Sequence, residues 1–145
     1  MTIGLRVSNV AAALAFYRKL GFTEDMVVPD RKGLPQFCHM RYGSSSLVFD
    51  AIDTEMPMPD TQRERDTKRG PLGLGVKIGI DVPDIEPMYQ VFVEAGCTIT
   101  AEPFTAFWTE RAFNAIDPFG YQWEFRQPAA SAGDFTMDAK AAWNK

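Results

Sequence analysis

The chain has 145 residues, of which 46% are hydrophobic and 23% are charged, which suffices for one domain with a sizeable buried core. Its net charge of −4 argues against a large nucleic-acid-binding surface, because neutralising phosphates requires a basic excess. The one histidine excludes a zinc site built from several histidines, and no apolar run is long enough to span a bilayer. We therefore predict a soluble, cytoplasmic domain with no nucleic-acid or membrane partner.

The first half of the chain begins with an alternating strand that leads into a capped helix. Ser8 and Asn9 are the N-cap candidates, and the helix is predicted over residues 10–20. Gly21 follows at the position where a left-handed residue ends a helix. Three antiparallel strands are predicted after it, near residues 24–28, 36–41 and 45–51. This order makes residues 1–52 a βαβββ module.

A polar segment separates this module from the next. Residues 53–71 are predicted to form an exposed connecting loop. The charges from Arg63 to Arg69 alternate in sign, which favours a solvated loop over a binding patch.

The second half repeats the first, since Gly79 lies 75 positions after Gly4 and Gly96 lies 75 positions after Gly21. Asp84 is the N-cap candidate of a helix predicted over residues 85–95. Strands are predicted near residues 98–101, 110–116 and 121–126. Residues 72–127 therefore form a second βαβββ module, and the fold class is α+β.

Two further features complete the chain. Residues 128–145 are a C-terminal tail in which a short helix over 135–143, with Asp134 as N-cap, competes with a frayed end. Cys38 and Cys97 form no CxxC motif and are predicted to be reduced thiols.

Three groups of residues occur in order along the two modules: Leu5–Phe22, then Ile80–Ile85 with Gly96, then Trp108–Phe113 with Asp117–Gly120 and Trp123-Glu124. Together they resemble the vicinal oxygen chelate superfamily of glyoxalases, extradiol dioxygenases and bleomycin-resistance proteins. The last group is most similar to the bleomycin-resistance and PhnB-like branch. The resemblance covers about residues 2–127 and implies tandem βαβββ modules whose mixed sheets form a curved cleft.

The resemblance also implies where a metal-binding member would take its ligands, on the cleft-facing side of the first and last strands of each module. Alternation along those strands places the packing side chains at Ile3, Leu5, Val7, Val76, Ile78, Ile80, Val82, Trp123 and Phe125. The ligand positions are then Thr2, about Leu47, Lys77 and Glu124. Thr2 and Lys77 replace the expected histidines, and a protonated ammonium cannot coordinate a cation. We predict no bound metal and no cofactor, although Asp50 and Asp81 could help Glu124 hold a hard cation.

Charged side chains are expected to fill the space a metal would occupy. Lys77 is predicted to pair with Glu124, and Arg6 with Asp81, while Gln122 faces the same cleft. These pairs are either salt bridges or the groups that recognise a polar ligand, and one carboxylate could also act as a base.

Aromatic residues and the histidine supply the remaining candidate contacts. By resemblance, the segment of Phe107 and Trp108 borders the cleft, where flat rings stack on planar ligands; packing or dimerisation is the alternative. Arg111 either holds a ligand anion or pairs near Glu110. His39 is expected near the cleft mouth, as a structural residue or as an acid–base group.

The resemblance favours a metal-free protein of the bleomycin-resistance type that sequesters a planar or cationic small molecule and thereby confers antibiotic resistance. Proteins of this branch usually form homodimers with clefts at the interface, in some cases with exchanged strands. The alternative is an enzyme of the isomerase or lyase type that uses Glu124 or His39 as acid or base.

Overall fold

The computed structural model describes residues 1–57, 59–106 and 110–128, without the side chains of Thr61 and Arg63. It divides after Leu74 into two units, each with its own four-stranded mixed sheet. The predicted α+β class and the duplicated βαβββ order are confirmed. None of the described helices is long and apolar enough to cross a membrane.

Unit 1 carries the first module and one additional helix. Its elements are β1 (Thr2–Val7), α1 (Val10–Lys19), β2 (Thr23–Pro29), β3 (Pro35–Tyr42), β4 (Ser45–Ala51) and α2 (Thr61–Arg69). The strands lie in the order β1-β4-β3-β2, with β1 parallel to β4 and the other neighbours antiparallel.

The core of unit 1 lies between α1 and one face of the sheet. Asn9 caps α1, since its Oδ1 accepts a hydrogen bond from the Ala12 amide at 2.9 Å. Gly21 ends the helix with a φ of +88°. The buried face of α1 includes Tyr17, whose ring lies 4.8 Å from the ring of Phe49 on β4.

The predicted loop between the modules is wrong over residues 61–69, which form α2. Side chains one turn apart support this helix: Gln62 Nε2 donates to Asp66 Oδ1 at 3.0 Å, and Arg65 Nη2 donates to Gln62 Oε1 at 2.6 Å. A helix with no apolar stripe gives no periodic signal, so a segment of mixed charges does not distinguish a helix from a loop.

Unit 2 repeats the module without an added helix. Its elements are β5 (Lys77–Asp81), α3 (Glu86–Glu94), β6 (Thr98–Thr105), β7 (Arg111–Ile116) and β8 (Gln122–Gln127). The strand order is β5-β8-β7-β6. Its core includes Phe92, Phe113, Trp123 and Phe125, and the rings of Phe113 and Phe125 stack with centroids 5.1 Å apart.

Unit 2 departs from the predictions at three places. The N-cap of α3 is Ile85, while Asp84 accepts a hydrogen bond from the Glu86 amide at 3.0 Å. Val76 precedes β5 and is 53% exposed, so it does not join the packing side chains. β6 continues past Pro103 because register shifts on either side of Ala101 accommodate the proline at the sheet edge.

The turn before β8 is organised by a buried carboxylate. Asp117 accepts hydrogen bonds from the Phe119 and Tyr121 amides, both at 2.9 Å, and from Trp123 Nε1 at 3.2 Å. Because Trp123 is a core residue, this carboxylate ties the turn directly to the packing of the last strand. The predicted tail helix over residues 135–143 lies outside the described residues.

Candidate functional site

Strand pairing in unit 2 gathers charged side chains on the sheet face opposite its aromatic core. Lys77, Gly79 and Asp81 of β5 are in register with Gln122, Glu124 and Arg126 of β8. Ile78 and Ile80 alternate with the β5 residues and are buried, as predicted. We call the side that carries Lys77, Asp81, Glu124 and Arg126 the charged face of unit 2.

The predicted Lys77–Glu124 pair is present on this face. Lys77 Nζ donates to Glu124 Oε2 at 2.7 Å. The Lys77 side chain is 51% exposed and that of Glu124 is 20% exposed, so the carboxylate is the better covered partner. The Asn114 amide, in the orientation that satisfies both of its ends, donates to Glu124 Oε2 at 3.3 Å. Gln122 is exposed beside this pair at the beginning of β8.

The predicted pair between Arg6 and Asp81 is wrong, because each residue has a partner within its own unit. Arg126 Nη2 lies 2.9 Å from Asp81 Oδ1, and its Nε lies 4.0 Å from Glu110 Oε1. Arg6 of β1 forms an ion pair with Glu64 of α2. The sequence analysis does not identify Arg126, although it lies two residues after Glu124 on β8 and therefore on the same face.

Gly79 lies beneath the Arg126 guanidinium. A methyl group built on Gly79 would be 3.5 Å from Arg126 Cζ, which is an ordinary contact distance. A longer side chain there would displace the guanidinium from Asp81. Gly79 therefore leaves space for the Arg126 side chain.

The ligand position predicted at about Leu47 is wrong. Leu47 is buried in the core of unit 1, and the neighbouring Val48 lies in register with Gly4. This pairing corresponds to that of Gly79 with Glu124 in unit 2, so Val48 is the counterpart of Glu124.

The residues at the positions where the resemblance implies metal ligands do not fit a metal. In unit 1 these residues are Thr2 and Val48, which carry no charge, and in unit 2 the Lys77 ammonium lies 2.7 Å from the Glu124 carboxylate. No group of three His, Cys, Asp or Glu side chains suited to a metal occurs among residues 1–57, 59–106 and 110–128.

His39 lies in unit 1 beside a carboxylate that orients it. Its Nδ1 lies 3.0 Å from Asp25 Oδ2, and the Arg41 Nε–H donates to the same oxygen. The hydrogen bond from Arg41 lowers the pKa of Asp25 from its usual value, so this carboxylate is ionised at neutral pH. The His39 side chain is 19% exposed. Sequence alternation placed His39 with Arg41 but gave no indication of Asp25 on the neighbouring strand.

The remaining predicted contacts are Phe107, Trp108, Arg111 and Arg6. Phe107 and Trp108 lie outside the described residues. Arg111 is exposed at the beginning of β7, on the strand face that carries the core residue Phe113. Arg6 is buried under α2.

Unit 1 also contains a pocket of about 430 Å³ that the sequence analysis did not predict. It lies at the N-terminus of α1, and its lining includes Asn9, Asp30, Lys32, Gln36 and Asp53. The buried Gln36 amide is satisfied within the unit, since it donates to the Pro29 carbonyl and accepts from the Glu55 amide.

Comparison with known proteins agrees with this architecture. A family model described as Glyoxalase/Bleomycin resistance protein/Dioxygenase superfamily matches residues 2–125. No curated protein matches the chain.

Solved structures of about the same length share the fold. TioX from Micromonospora sp. ML1 is 17% identical with a TM-score of 0.65, over 88% of this chain and 96% of that chain. A glyoxalase/bleomycin resistance protein/dioxygenase family enzyme from Burkholderia phytofirmans PsJN is 18% identical with a TM-score of 0.66, over 87% and 95%. A lactoylglutathione lyase from Agrobacterium tumefaciens is 19% identical with a TM-score of 0.60, over 88% and 91%. At these identities the similarity shows the fold alone, whereas the family model identifies the chain as a member of the Glyoxalase/Bleomycin resistance protein/Dioxygenase superfamily.

Proposed function

We propose that this protein is a metal-independent small-molecule-binding member of the superfamily, of the bleomycin-resistance type. The observation that carries the proposal is the ion pair between Lys77 and Glu124, at positions where the family resemblance implies metal ligands. The ammonium neutralises the one carboxylate of the set, so a cation gains little there. Binding and sequestration then depend on side-chain contacts.

The proposed ligand is a planar or cationic molecule. A net charge of −4 attracts cations over long range. Phe107 and Trp108 would supply flat rings for stacking, which costs little conformational entropy on binding. A protein with this activity would confer resistance to a drug of that chemistry.

The first experiment compares metals with a drug. The purified chain is dialysed and analysed for transition metals, and its thermal unfolding is measured with added Zn²⁺, Ni²⁺ and Mn²⁺ and with bleomycin. The proposal predicts stabilisation by bleomycin and none by the metals. One equivalent of tightly bound transition metal, retained after dialysis, would overturn metal independence.

The second experiment locates the stacking contact through tryptophan fluorescence. Titration with bleomycin is expected to quench the wild-type emission, and Trp108→Leu is expected to remove that quenching. Trp123 is buried in unit 2, remains in both chains and serves as the internal reference. Equal quenching in both chains would contradict a role for Trp108.

The alternative function, an isomerase- or lyase-type enzyme, is favoured by one specific contact. Asp25 holds Nδ1 of His39, an arrangement that orients an imidazole for proton transfer through its other nitrogen. The test is turnover of the methylglyoxal–glutathione hemithioacetal by wild type, His39→Asn and Glu124→Gln. Turnover that either substitution lowers at least a hundredfold would establish the enzyme; turnover absent from all three favours the binding protein.

A further inference from the structure

The sheet face of unit 1 that points away from its core carries His39, whose ring has one nitrogen left open. The Nδ1 atom lies 3.0 Å from Asp25 Oδ2, and Arg41 donates to the same oxygen. Because an ionised carboxylate can only accept, Nδ1 carries the hydrogen of the neutral ring and Nε2 is an acceptor. Arg41 balances the charge of Asp25, so this carboxylate does not require an imidazolium as its cation. Nε2 has no hydrogen-bond partner among the residues that the structure describes.

Strand pairing places an uncharged surface beside this nitrogen. His39 is in register with Val48 on β4, and Val48 is in register with Gly4 on β1. The ends of this row are about 10 Å apart, since neighbouring strands are separated by about 4.8 Å. Gly4 is exposed, and a Cβ built on it would meet no atom within 4 Å. The row therefore has an acceptor at one end and open space at the other.

Two further residues border this row on the same sheet face. Phe37 lies two residues before His39 on β3, and its half-buried ring contacts no other aromatic ring in the described part of the chain. Arg6 lies two residues after Gly4 on β1 and is only 7% exposed, so the open space ends there. We call the surface formed by Gly4, Phe37, His39 and Val48 the open face of unit 1.

We propose that the open face of unit 1 binds a neutral planar molecule that presents an N–H or O–H donor to His39 Nε2. Apolar contacts with a few placed polar groups are typical of small-molecule sites. The acceptor selects the ligand, because a molecule without a donor would leave Nε2 both covered and unpaired, which is costly. The site lies within unit 1 and needs no contact from unit 2, so the inference goes beyond the proposed function.

The first test determines which ring nitrogen carries the hydrogen. The chain contains one histidine, so isotope-labelled histidine gives one pair of ring signals in nitrogen NMR spectra of the full chain. At mildly alkaline pH, Nδ1 is expected to be protonated and Nε2 is not. Indole, a neutral N–H donor, is expected to shift the Nε2 signal, and N-methylindole, which lacks the donor, is expected to shift it much less. A ring protonated mainly at Nε2 would overturn the proposal.

The second test measures the hydrogen bond by calorimetric titration with the same two probes. His39→Phe keeps a ring at this position but removes the acceptor. The ratio of the N-methylindole Kd to the indole Kd is expected to be about fivefold higher in the wild type than in His39→Phe, which corresponds to one ordinary hydrogen bond. Equal ratios in the two chains would overturn the proposal, as would the absence of wild-type binding up to the solubility limit of indole.

The third test locates the ligand on the sheet. Gly4→Leu fills the open space, and the chain is expected to remain folded because a Cβ there meets no atom within 4 Å. This variant is expected to weaken indole binding by about tenfold or more, since two groups cannot occupy the same space. Thr98→Leu makes a comparable change at an exposed strand position of unit 2 and is expected to bind indole as the wild type does. Equal affinities of Gly4→Leu and Thr98→Leu would show that indole does not bind at the open face.

Discussion

The ion pair on the charged face of unit 2 shows how exposure limits an electrostatic contribution. Lys77 and Glu124 lie 2.7 Å apart, yet the Lys77 side chain is half exposed and is well hydrated without its partner. Exposed pairs contribute about 0–1 kcal/mol, whereas breaking a fully buried pair costs about 3–5 kcal/mol. The contact therefore contributes little to the stability of the fold.

A double-mutant cycle tests this conclusion. Lys77→Met, Glu124→Gln and the double variant are compared by urea unfolding, with an expected coupling free energy of about 0.5–1 kcal/mol. Arg18 and Glu24 form an exposed pair on unit 1 that serves as the matched control cycle. A coupling above about 3 kcal/mol would show that Lys77 is desolvated in solution.

The two thiols are expected to differ in reactivity. Burial raises the pKa of Cys38 from 9.0 to about 11, and burial also raises the pKa of the half-buried Cys97. Because the thiolate is the reactive form, iodoacetamide at pH 8 should modify Cys97 before Cys38, as measured by peptide mass spectrometry. Folding favours the neutral Cys38 thiol, so its stabilising effect is complete below pH 9 and declines between pH 9 and about 11. Faster modification of Cys38 in the folded chain would contradict its burial.

At the scale of single elements, the two module helices differ in how they begin. The Asn9 side chain caps α1, whereas the N-cap of α3 has no side-chain hydrogen bond and relies on a proline in the first turn. The interactions that cap the two helices therefore contribute unequally to stability.

Removal of the Asn9 cap should destabilise the protein measurably. Asn9→Ala is expected to lower the free energy of unfolding by about 1 kcal/mol, because the Ala12 amide loses its acceptor. Ser8→Ala, at the other predicted cap position, is expected to change it by less than about 0.5 kcal/mol. Circular dichroism during thermal unfolding measures both, and equal losses would remove Asn9 from its role as the cap.

The sequence predicted the elements whose signals are local and missed contacts that depend on distant residues. Alternation, caps and glycines placed α1, α3 and most strands, because each signal lies within a few residues of the element. Arg6 was assigned the wrong partner because Glu64 lies on a helix without an apolar stripe, in a segment that the sequence predicts to be a loop. The site role of Phe107 and Trp108 remains a prediction.

At the scale of the whole molecule, exposed apolar side chains on an edge strand are candidates for the interface of the proposed homodimer. Met26 is 52% exposed and Val27 is 38% exposed, both on β2 at the edge of the first sheet. An unpaired edge strand with apolar side chains favours association with a second copy.

Sedimentation velocity tests the proposed dimer directly. The chain is expected to sediment as a dimer at micromolar concentration, and Met26→Lys with Val27→Lys is expected to shift it toward the monomer. Lys19→Met and Lys32→Met change exposed charges elsewhere and form the control. A stable wild-type monomer would contradict the homodimer, and an unshifted variant would remove β2 from its interface.

The two units carry reversed charges at the equivalent pair of residues between their two parallel strands. Arg6 pairs in register with Asp50 in the first half, and Asp81 pairs in register with Arg126 in the second. A chimera that replaced β1 by a copy of β5 would set an aspartate at the position of Arg6, opposite Glu64, and would repel α2. The two halves share the backbone ladder, but the reversed charges at this pair of positions suit each first strand to its own partner strand.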